Sequence, residues 1–358
     1  MITFPTGWMV ILAASLIAAV TTVLLIRNRL RSADLSDLMD QPNERSLHDT
    51  PIPRIGGLLL FMGAATGFGL TALWQSMTGS GAPASLAPWP IAVLCLGAAG
   101  LVLLGWRDDR TPLPVMPRLA FHLLCAAAMA ATAMQAGGID GFAQDWYLGL
   151  AALAILTVGI AWFANLYNFM DGANGLAGLT ALIGFATYVW MAPPGSPLGL
   201  LSAAIAGAVV GFLWFNWDPA RLFMGDAGSI PLGFLAAGVG ITGAAAGYWP
   251  WLAPVGIFLP FVFDATSTLA LRAMRGENLS SPHRDHAYQQ AVLAGWTHQQ
   301  VSTVYGLLMG VCSLTSATFG YHNGSVSVAL WAVIILIHAS LGIAVRRQHK
   351  GRHRPPTD

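Results

Sequence analysis

The sequence predicts an all-α integral membrane protein, a polytopic bundle of about 11 transmembrane helices. Of the 358 residues, 55% are hydrophobic and only 9% are charged. Soluble domains carry roughly 25% charged residues. The mean hydropathy is +0.62. Apolar segments recur along the whole chain. The basic residues fall in alternate connections between these segments, which places all of them on one side of the membrane.

Spanning helices need about 20 mostly apolar residues each. The sequence contains eleven such segments and no obvious internal repeat, and no soluble domain of useful size fits between them. We therefore treat residues 1–358 as a single polytopic membrane domain. The predicted spans are 5–26, 55–76, 88–106, 118–136, 146–164, 175–192, 198–216, 229–248, 251–271, 299–319 and 326–345.

The basic residues predict the orientation. No Lys or Arg precedes the first apolar run, and Arg27 follows it, which favours an N-terminus outside and argues against a signal peptide. Alternation then places all 17 Lys and Arg residues in inside segments. These segments are 27–54, 107–118, 165–174, 217–228, 272–298 and the basic cytoplasmic tail 346–358. We expect a multi-pass protein of the inner (cytoplasmic) membrane, with its functional surface facing the cytoplasm.

The stretch NLYNFMDGANGLAG, residues 165–178, is the most polar motif beside the apolar runs. Asn165, Asn168 and Asp171 are spaced by three, so they share one face if the segment is helical. A lone NxxN is more often a polar helix end before an Asn/Gly turn. The full string is more specific, because polar groups facing lipid are expensive and need a reason.

Further acids fall at the same predicted surface. Asp108 and Asp109 lie in GWRDDR, and Asp226 lies in FMGDAGS. Adjacent carboxylates repel unless cations or a metal compensate them. A solvated helix end with local ion pairs is an equal alternative for the DD pair, and a helix N-cap is the alternative for Asp226. Helix packing could bring all these acids into one site.

Oxygen ligands without a zinc-like Cys or His spacing favour Mg²⁺ or Mn²⁺ over zinc. The three cysteines lie in apolar segments and in no ligand spacing. Mg²⁺ is often bound by one or two carboxylates plus substrate phosphates, which suits a nucleotide diphosphate. The soluble nucleotide-binding motifs GxxxxGK[ST] and GxGxxG after a strand are absent from the sequence.

Two inside segments offer groups for anions. In SPHRDHAYQQAV, residues 281–292, His283 and His286 flank Arg284, whose planar guanidinium can clamp a phosphate or a sugar hydroxyl. In PNERSLHDTPIPRIGG, residues 42–57, the candidates are His48 and Arg54. The alternatives are a solvated His-rich loop for the first segment and a plain connector for the second.

Asp264 lies about 12 Å deeper than Arg272 on one predicted helix, at 1.5 Å per residue. An intramembrane acid is a functional candidate by default. Helix–helix hydrogen bonding, with Thr266 or Ser267 as the partner, is an equal alternative.

These five segments, in this order, resemble the polyprenyl-phosphate N-acetylhexosamine-1-phosphate transferases (glycosyltransferase family 4). The resemblance covers nearly the whole chain. It implies an enzyme that transfers N-acetylhexosamine-1-phosphate from a UDP-sugar to polyprenyl (undecaprenyl) phosphate and releases UMP. The HRDHAYQ string differs from the triple-His pattern of the peptidoglycan-precursor branch. It is similar to the branch that initiates lipopolysaccharide O-antigen or related surface glycans.

The resemblance also implies roles for individual residues. Asp108 and Asp109 would form the catalytic carboxylate pair, and Asp226 would bind Mg²⁺ with Asn168 as its partner. A second set would bind substrate: Asn165, Asp171, Asn174, His283, Arg284, His286, Arg54 and His48. Many bacterial members have Asp where Asn174 stands, so a charge-dependent role is not expected at that position.

Several alternatives stay open. A peptidoglycan-precursor phospho-MurNAc-pentapeptide transferase is the nearest, and a secondary transporter or an inactive scaffold for glycan assembly is more distant. Direct attack by the lipid phosphate and a covalent aspartyl-phosphate route would use the same residues. The expected partners are a UDP-N-acetylhexosamine, a polyprenyl phosphate, the membrane and, as a candidate, a second copy of the chain; no nucleic acid is expected.

The one-sided distribution of basic residues predicts the location of both termini. Single cysteines placed at Thr6 and at Asp358, in a variant without native cysteines, should differ in their reaction with a membrane-impermeant maleimide. In intact cells, only the cysteine at position 6 should be labelled. Labelling at position 358 would contradict the predicted orientation.

Overall fold

The computed structural model describes residues 6–352, except 32–34, 36–37, 43–45, 80–87, 139–144, 280, 282 and 320–323. Arg45, the first residue of the predicted span 5–26 and the last six residues of the basic tail lie outside the described residues. Within them, helices dominate and the only sheet is a pair of two-residue antiparallel strands, β1 (Met39–Asp40) and β2 (Ile52–Pro53).

The described residues form thirteen α-helices. In chain order they are α1 (Thr6–Arg31), α2 (Gly56–Thr78), α3 (Pro88–Arg110), α4 (Val115–Ala133), α5 (Trp146–Phe169), α6 (Leu176–Met191), α7 (Pro197–Asn216), α8 (Asp226–Ala245), α9 (Ala253–Ile257), α10 (Leu259–Met274), α11 (Ala287–Leu293), α12 (His298–Phe319) and α13 (Gly324–Arg352). A π-helical turn, Met134–Gly138, extends α4.

This architecture confirms the predicted class, an all-α polytopic membrane protein. Nine helices in the described part of the chain are long and apolar enough to cross a membrane, and the 16-residue α6 is a shorter apolar helix. The predicted span 251–271 is divided between α9 and α10, with Phe258 at the break. Pro260 lies in the first turn of α10, where a missing N–H is tolerated and a new helix can begin.

Two helices, α7 and α8, form the centre of the bundle. The apolar windows of both are largely buried, whereas those of α5 and α13 are mostly exposed on the outside of the bundle. Both central helices are rich in Gly and Ala, and small residues let helix backbones approach closely in a membrane. The N-terminus of α8 therefore lies among the ends of other helices.

Glycines bring two of these ends against the first turn of α8. A Cβ added to Gly57 of α2 would lie 2.3 Å from the Cα atom of Gly228. A Cβ added to Gly105 of α3 would lie 2.5 Å from the backbone nitrogen of Ala227. Such distances leave no room for a side chain, so these glycines permit α2, α3 and α8 to meet where the candidate residues lie.

Candidate active site

Asp109 caps the central helix from a different helix. Its Oδ1 accepts a hydrogen bond from the backbone N–H of Asp226 (3.0 Å), and its Oδ2 accepts one from Ala227 (3.1 Å). The residue that precedes α8, Gly225, has a φ of 71° and cannot supply a side-chain cap. Asp226 is the first residue of α8 and not its N-cap. The DD pair is therefore part of the packed structure and not a solvated helix end.

Asp108 and Asp226 share one arginine. Asp108 accepts a hydrogen bond from the backbone N–H of Leu113 (2.6 Å) and is bound directly by Arg118. The same Arg118 nitrogen lies 3.4 Å from Oδ2 of Asp226, and the two carboxylates approach within hydrogen-bonding reach. The side chain of Asp226 is 24% exposed, against 8% for Asp108 and 2% for Asp109. Asp226 is therefore the most accessible of the three carboxylates.

The two predicted asparagines of α5 differ in their contacts. Asn168 donates from Nδ2 to Oδ1 of Asp226 (2.8 Å) and to the hydroxyl of Ser229 (2.9 Å). Asn165 donates to the carbonyl of Ala161 in its own helix (2.7 Å). Asn168 is thus a donor that orients Asp226, and Asn165 lies one turn deeper in the bundle.

The segment before α2 lies against the segment before α8. Backbone hydrogen bonds join Phe223 to Pro53 (2.8 Å) and Gly56 to Phe223 (2.9 Å). This pairing holds Arg54 beside the acids, where it binds Asp40 directly and lies 4.0 Å from Oδ1 of Asp109. The pKa of Arg54 is raised, because its acidic partners, Asp40 first, outweigh the effect of burial, which lowers it.

His48 belongs to the same group. Its Nε2 lies 3.8 Å from Oδ2 of Asp40, and its ring packs edge-on against Phe223 at 4.8 Å between centroids. The structure therefore brings both predicted anion-binding residues of segment 42–57 to the acid cluster, through a carboxylate that the sequence analysis had not selected.

Asp171 lies in the turn between α5 and α6 and faces the other acids. No described residue donates a hydrogen bond to its carboxylate. Burial first, and then the negative charges of Asp226 and Asp109, raise the pKa of Asp171 well above its ordinary value. An acid surrounded by acids in this way favours the approach of a cation.

Asn174 has a structural set of contacts. Its Nδ2 donates to Oδ1 of Asp218 (2.9 Å), its backbone N–H donates to Nδ1 of His298 (3.1 Å), and its carbonyl accepts from Ser302 (2.7 Å). It therefore ties the turn after α5 to the start of α12. A role in the nucleotide pocket stays a prediction for this residue.

Residues 283–286, called the HRDH segment below, lie beside the turn that carries Asp171. The hydroxyl of Tyr288 in α11 donates to the carbonyl of Phe169 (3.0 Å), and it occupies the space that a Cβ on Gly172 would need. The ring of His286 stacks on Phe169 at 6.5 Å between centroids. Segments 281–292 and 165–178 are therefore in direct contact.

The three predicted residues of this segment differ in burial. His283 and Arg284 are partly exposed, whereas His286 is only 2% exposed and precedes α11. Burial, and then the neighbouring His286 and Arg272, lower the pKa of His283 to about 4, so its imidazole is neutral at neutral pH. His283 can therefore offer a hydrogen bond to a substrate but not a positive charge, whereas Arg284 carries a permanent one.

Asp264 binds the residues that follow the HRDH segment. It is 1% exposed and accepts hydrogen bonds from the backbone of Ala287 (2.8 Å) and from Thr268 (3.2 Å). Ser267, one of the two partners considered from the sequence, contacts only the backbone carbonyl of Asp264 (3.3 Å). The carboxylate joins α10 to α11 and is not open to the bilayer.

Arg118, Asp40 and Tyr288 are site residues that sequence reasoning missed as such. Arg118 lies in the first turns of α4, where a cation opposes the helix dipole, and this conflict was a usable signal for an acidic partner. Asp40 and Tyr288 carried no comparable local signal. Both reach the site only through packing of segments that are far apart in the chain.

The donor set suits a hard cation held jointly with a substrate. Among the described residues, no three His, Cys, Asp or Glu side chains are grouped to hold a metal ion. Mg²⁺ needs only one or two protein carboxylates when phosphates supply the other ligands. Asp171 has no described donor, and Asp226 is the most exposed of the other three acids, with its Oδ2 3.4 Å from Arg118. These two acids would hold the ion. Asn168 directs its amide nitrogen to Asp226, so it orients that carboxylate.

Known proteins are similar to this sequence over most of its length. Residues 91–244 match glycosyl transferase family 4. The chain is 24% identical to the probable undecaprenyl-phosphate N-acetylglucosaminyl 1-phosphate transferase of Bacillus subtilis, over 92% of this chain and 90% of that protein. It is 27% identical to the decaprenyl-phosphate N-acetylglucosaminephosphotransferase of Mycobacterium tuberculosis, over 86% and 82%. These similarities support the polyprenyl-phosphate hexosamine-1-phosphate transferase family for this chain.

This transferase family also includes a relative with a different named substrate. The chain is 28% identical to the phospho-N-acetylmuramoyl-pentapeptide-transferase of Thermosynechococcus vestitus, over 84% of this chain and 81% of that protein. The chain is therefore similar to transferases of both branches.

The capping role of Asp109 predicts a loss of stability when one acceptor is removed. Asp109→Asn keeps one oxygen and turns an NH₂ group toward a helix N–H. The free energy of unfolding should therefore fall by about 1–3 kcal/mol. Thermal unfolding in detergent should show a midpoint lower by a few degrees. Asp145→Asn is the matched control, because Asp145 precedes α5 without a side-chain cap. Equal midpoints for the two variants would contradict the role.

Proposed function

We propose that the protein transfers N-acetylhexosamine-1-phosphate from a UDP-N-acetylhexosamine to a polyprenyl phosphate and releases UMP, on the cytoplasmic face of the inner membrane. The product would begin the assembly of a surface polysaccharide such as an O-antigen. Family membership supports the reaction class. The choice of sugar donor and pathway is argued from the site.

One observation carries the proposal: four separate segments bring together four carboxylates that are bordered by cationic side chains. The acids are Asp108, Asp109, Asp171 and Asp226, and the flanking cations are Arg54 and Arg118. Acids suit a metal-bound diphosphate, and arginines suit phosphate oxygens. A site for two phosphorylated substrates needs both kinds of group side by side.

The transfer itself has a simple balance. An oxygen of the lipid phosphate forms a bond to the β-phosphorus of the UDP-sugar. The bond from that phosphorus to the bridging oxygen breaks, and UMP leaves with the oxygen and its electron pair. The residues hold the two phosphates in line and offset their negative charge, which is the main contribution of protein groups to phosphoryl transfer.

The contacts favour different duties for the two adjacent acids. Both oxygens of Asp109 accept hydrogen bonds from α8, and its side chain is 2% exposed, so a role as nucleophile would require α8 to lose its cap. Asp108 is held by Leu113 and by Arg118, a side chain that can rotate. We assign Asp108 to positioning or deprotonating the lipid phosphate and Asp109 to anchoring α8, which favours direct attack over an aspartyl-phosphate route.

A divalent cation, Mg²⁺ or Mn²⁺, would neutralise charge on the diphosphate and on the departing UMP. Asp226 and Asp171 are the residues that would hold it, with Asn168 orienting Asp226. Arg118 would have to turn away from Asp226 toward phosphate oxygens when both substrates are present.

Relatives in both branches make the peptidoglycan donor the leading alternative. The HRDH segment supports a donor without a peptide, because Arg284 is its only arginine or lysine, His283 is neutral at neutral pH and His286 is buried. A secondary transporter has less support. Transport favours a free acid deep in the membrane, and Asp264 is occupied by the backbone of α11.

The proposed function predicts metal-dependent UMP release. Purified protein given a UDP-N-acetylhexosamine, polyprenyl phosphate and Mg²⁺ should release UMP and lose this activity in excess EDTA. Asp226→Asn should lower turnover by about a hundredfold or more, because it removes a charged ligand at the reacting phosphates. Mg²⁺ should also raise the unfolding midpoint of the wild type but not of Asp226→Asn.

Asp145→Asn, at the other end of the bundle, is the control and should retain full turnover and the response to Mg²⁺. No UMP release with any sugar donor would overturn the proposed reaction. Release that persists undiminished in EDTA would overturn the metal assignment alone.

The HRDH segment predicts donor choice. UDP-N-acetylglucosamine or a 6-deoxy relative should be turned over faster than UDP-MurNAc-pentapeptide. Arg284→Lys should lower kcat/KM for the preferred donor by about tenfold or more, because Lys cannot reproduce the planar fork of Arg. Arg275→Lys is the matched control: this residue is in the same loop but is 56% exposed and pairs only with Glu277 at 3.6 Å. Preference for the pentapeptide donor would move the protein to the other branch.

A further inference from the structure

We infer that Asp264 and Tyr305 are positioning residues of the active site. Together they fix α11, and with it the HRDH segment, against the turn that carries Asp171. Neither residue reaches the acid cluster itself. The inference rests on the proposed function where it concerns substrate binding, whereas its structural part stands on contacts alone.

Asp264 collects hydrogen bonds from three helices. From α11 it accepts the backbone N–H groups of Ala287 (2.8 Å) and Tyr288 (3.3 Å), which have no partner within their own helix. From α10 it accepts Thr268 (3.2 Å), and from α12 it accepts the hydroxyl of Tyr305. A carboxylate with 1% exposure is stable only when so fully bonded, so its four donors hold each other in place.

Tyr305 extends the network to a fourth helix. A carboxylate only accepts hydrogen bonds, so the Tyr305 hydroxyl donates to Asp264. Its free lone pair then faces Nε2 of His338 in α13, 3.4 Å away, which assigns the imidazole hydrogen to that nitrogen. Tyr305 and His338 are 4% and 3% exposed. Polar groups this deep are costly unless they are paired. Here His338 pairs with Tyr305, Tyr305 with Asp264, and Asp264 with the first N–H groups of α11.

The far end of α11 reaches the candidate site. Tyr288, whose N–H is bound by Asp264, donates its hydroxyl to the carbonyl of Phe169 and packs against Gly172, next to Asp171. On the other side, His283 and Arg284 precede α11 by only a few residues. A shift of α11 would therefore displace the cation of the HRDH segment relative to the acid cluster.

α11 has seven residues and cannot hold its position by its own stability. Isolated helices of that length are marginal in water, and most of the stability of such a helix comes from packing and from its terminal bonds. Asp264 accepts the N–H groups of Ala287 and Tyr288, and a capping box between His286 and Gln289 supplies the other N-terminal bonds. Removing the acceptor, or the hydroxyl that fixes it, should loosen α11 before it loosens the rest of the bundle.

The test uses Tyr305→Phe and Asp264→Asn in the full chain, with Tyr188→Phe as the matched control. Tyr188 is equally buried, and its hydroxyl donates to the carbonyl of Ala236 (2.9 Å) in the bundle centre, away from α11. In Tyr305→Phe, amide hydrogen exchange of residues 283–293 should become about tenfold faster, as expected for one lost hydrogen bond to a charged group. Tyr188→Phe should leave exchange in that segment unchanged.

Kinetics then separate positioning from general instability. Tyr305→Phe should raise KM for the UDP-sugar about tenfold while kcat stays within about twofold, because binding groups move and the acid cluster does not. Asp264→Asn should show the larger effect, since its NH₂ group would face the N–H groups of α11. A variant that is only less stable would lose active enzyme at an unchanged KM.

Each outcome decides a different point. Unchanged exchange of residues 283–293 in both variants would overturn the anchoring of α11. Faster exchange with an unchanged KM would overturn the positioning role. If the wild type turns over no UDP-sugar, the proposed function fails, and faster exchange in Tyr305→Phe would still support the anchoring part of the inference.

Discussion

The first turn of α8 needs acceptors, because the leading N–H groups of a helix have no partner within it. That turn lies in a packed bundle, after a glycine that offers no side chain, and Asp109 of α3 supplies both acceptors. One carboxylate thus fixes the distance between α3 and α8, and with it the distance from Asp108 to Asp226. This pair of hydrogen bonds joins the two helices that carry three of the four acids. Glycines at positions 57 and 105 make the approach possible, since a Cβ at either would meet the backbone of α8.

The same device holds the second half of the site. Asp264 receives the first amides of α11 as Asp109 receives those of α8, and each acid belongs to a different helix from the one it caps. In both cases a buried carboxylate satisfies orphan N–H groups while the N-terminal half-charge of the helix offsets its own. The two caps therefore fix the position of α3 relative to α8 and the position of α10 relative to α11. The acids that remain less engaged, Asp171 and Asp226, are the ones that face the space bordered by arginines.

The acid cluster carries more negative charge than the nearby cations fully offset. Arg118 contacts two acids and Arg54 lies 4.0 Å from a third, yet Asp171 has no described donor. The resulting repulsion costs folding energy, and the proposed divalent ion would relieve it.

By itself, the sequence determined the class, the approximate place of each span, and the motifs that carry the chemistry, because hydropathy and polar spacing are local properties. It also placed Asp108, Asp109, Asp171 and Asp226 at the ends or in the connections of apolar segments. Only the tertiary structure decided what each acid does. Asp109 and Asp264 became helix caps, Arg118 and Asp40 entered the site, and Asn174 became a link to α12. The capping and linking hydrogen bonds join residues 23 to 128 positions apart, and such bonds leave no periodic trace in the sequence. The break between α9 and α10 has the same origin, as a proline in an apolar run does not reveal from sequence whether it kinks a helix or begins a new one.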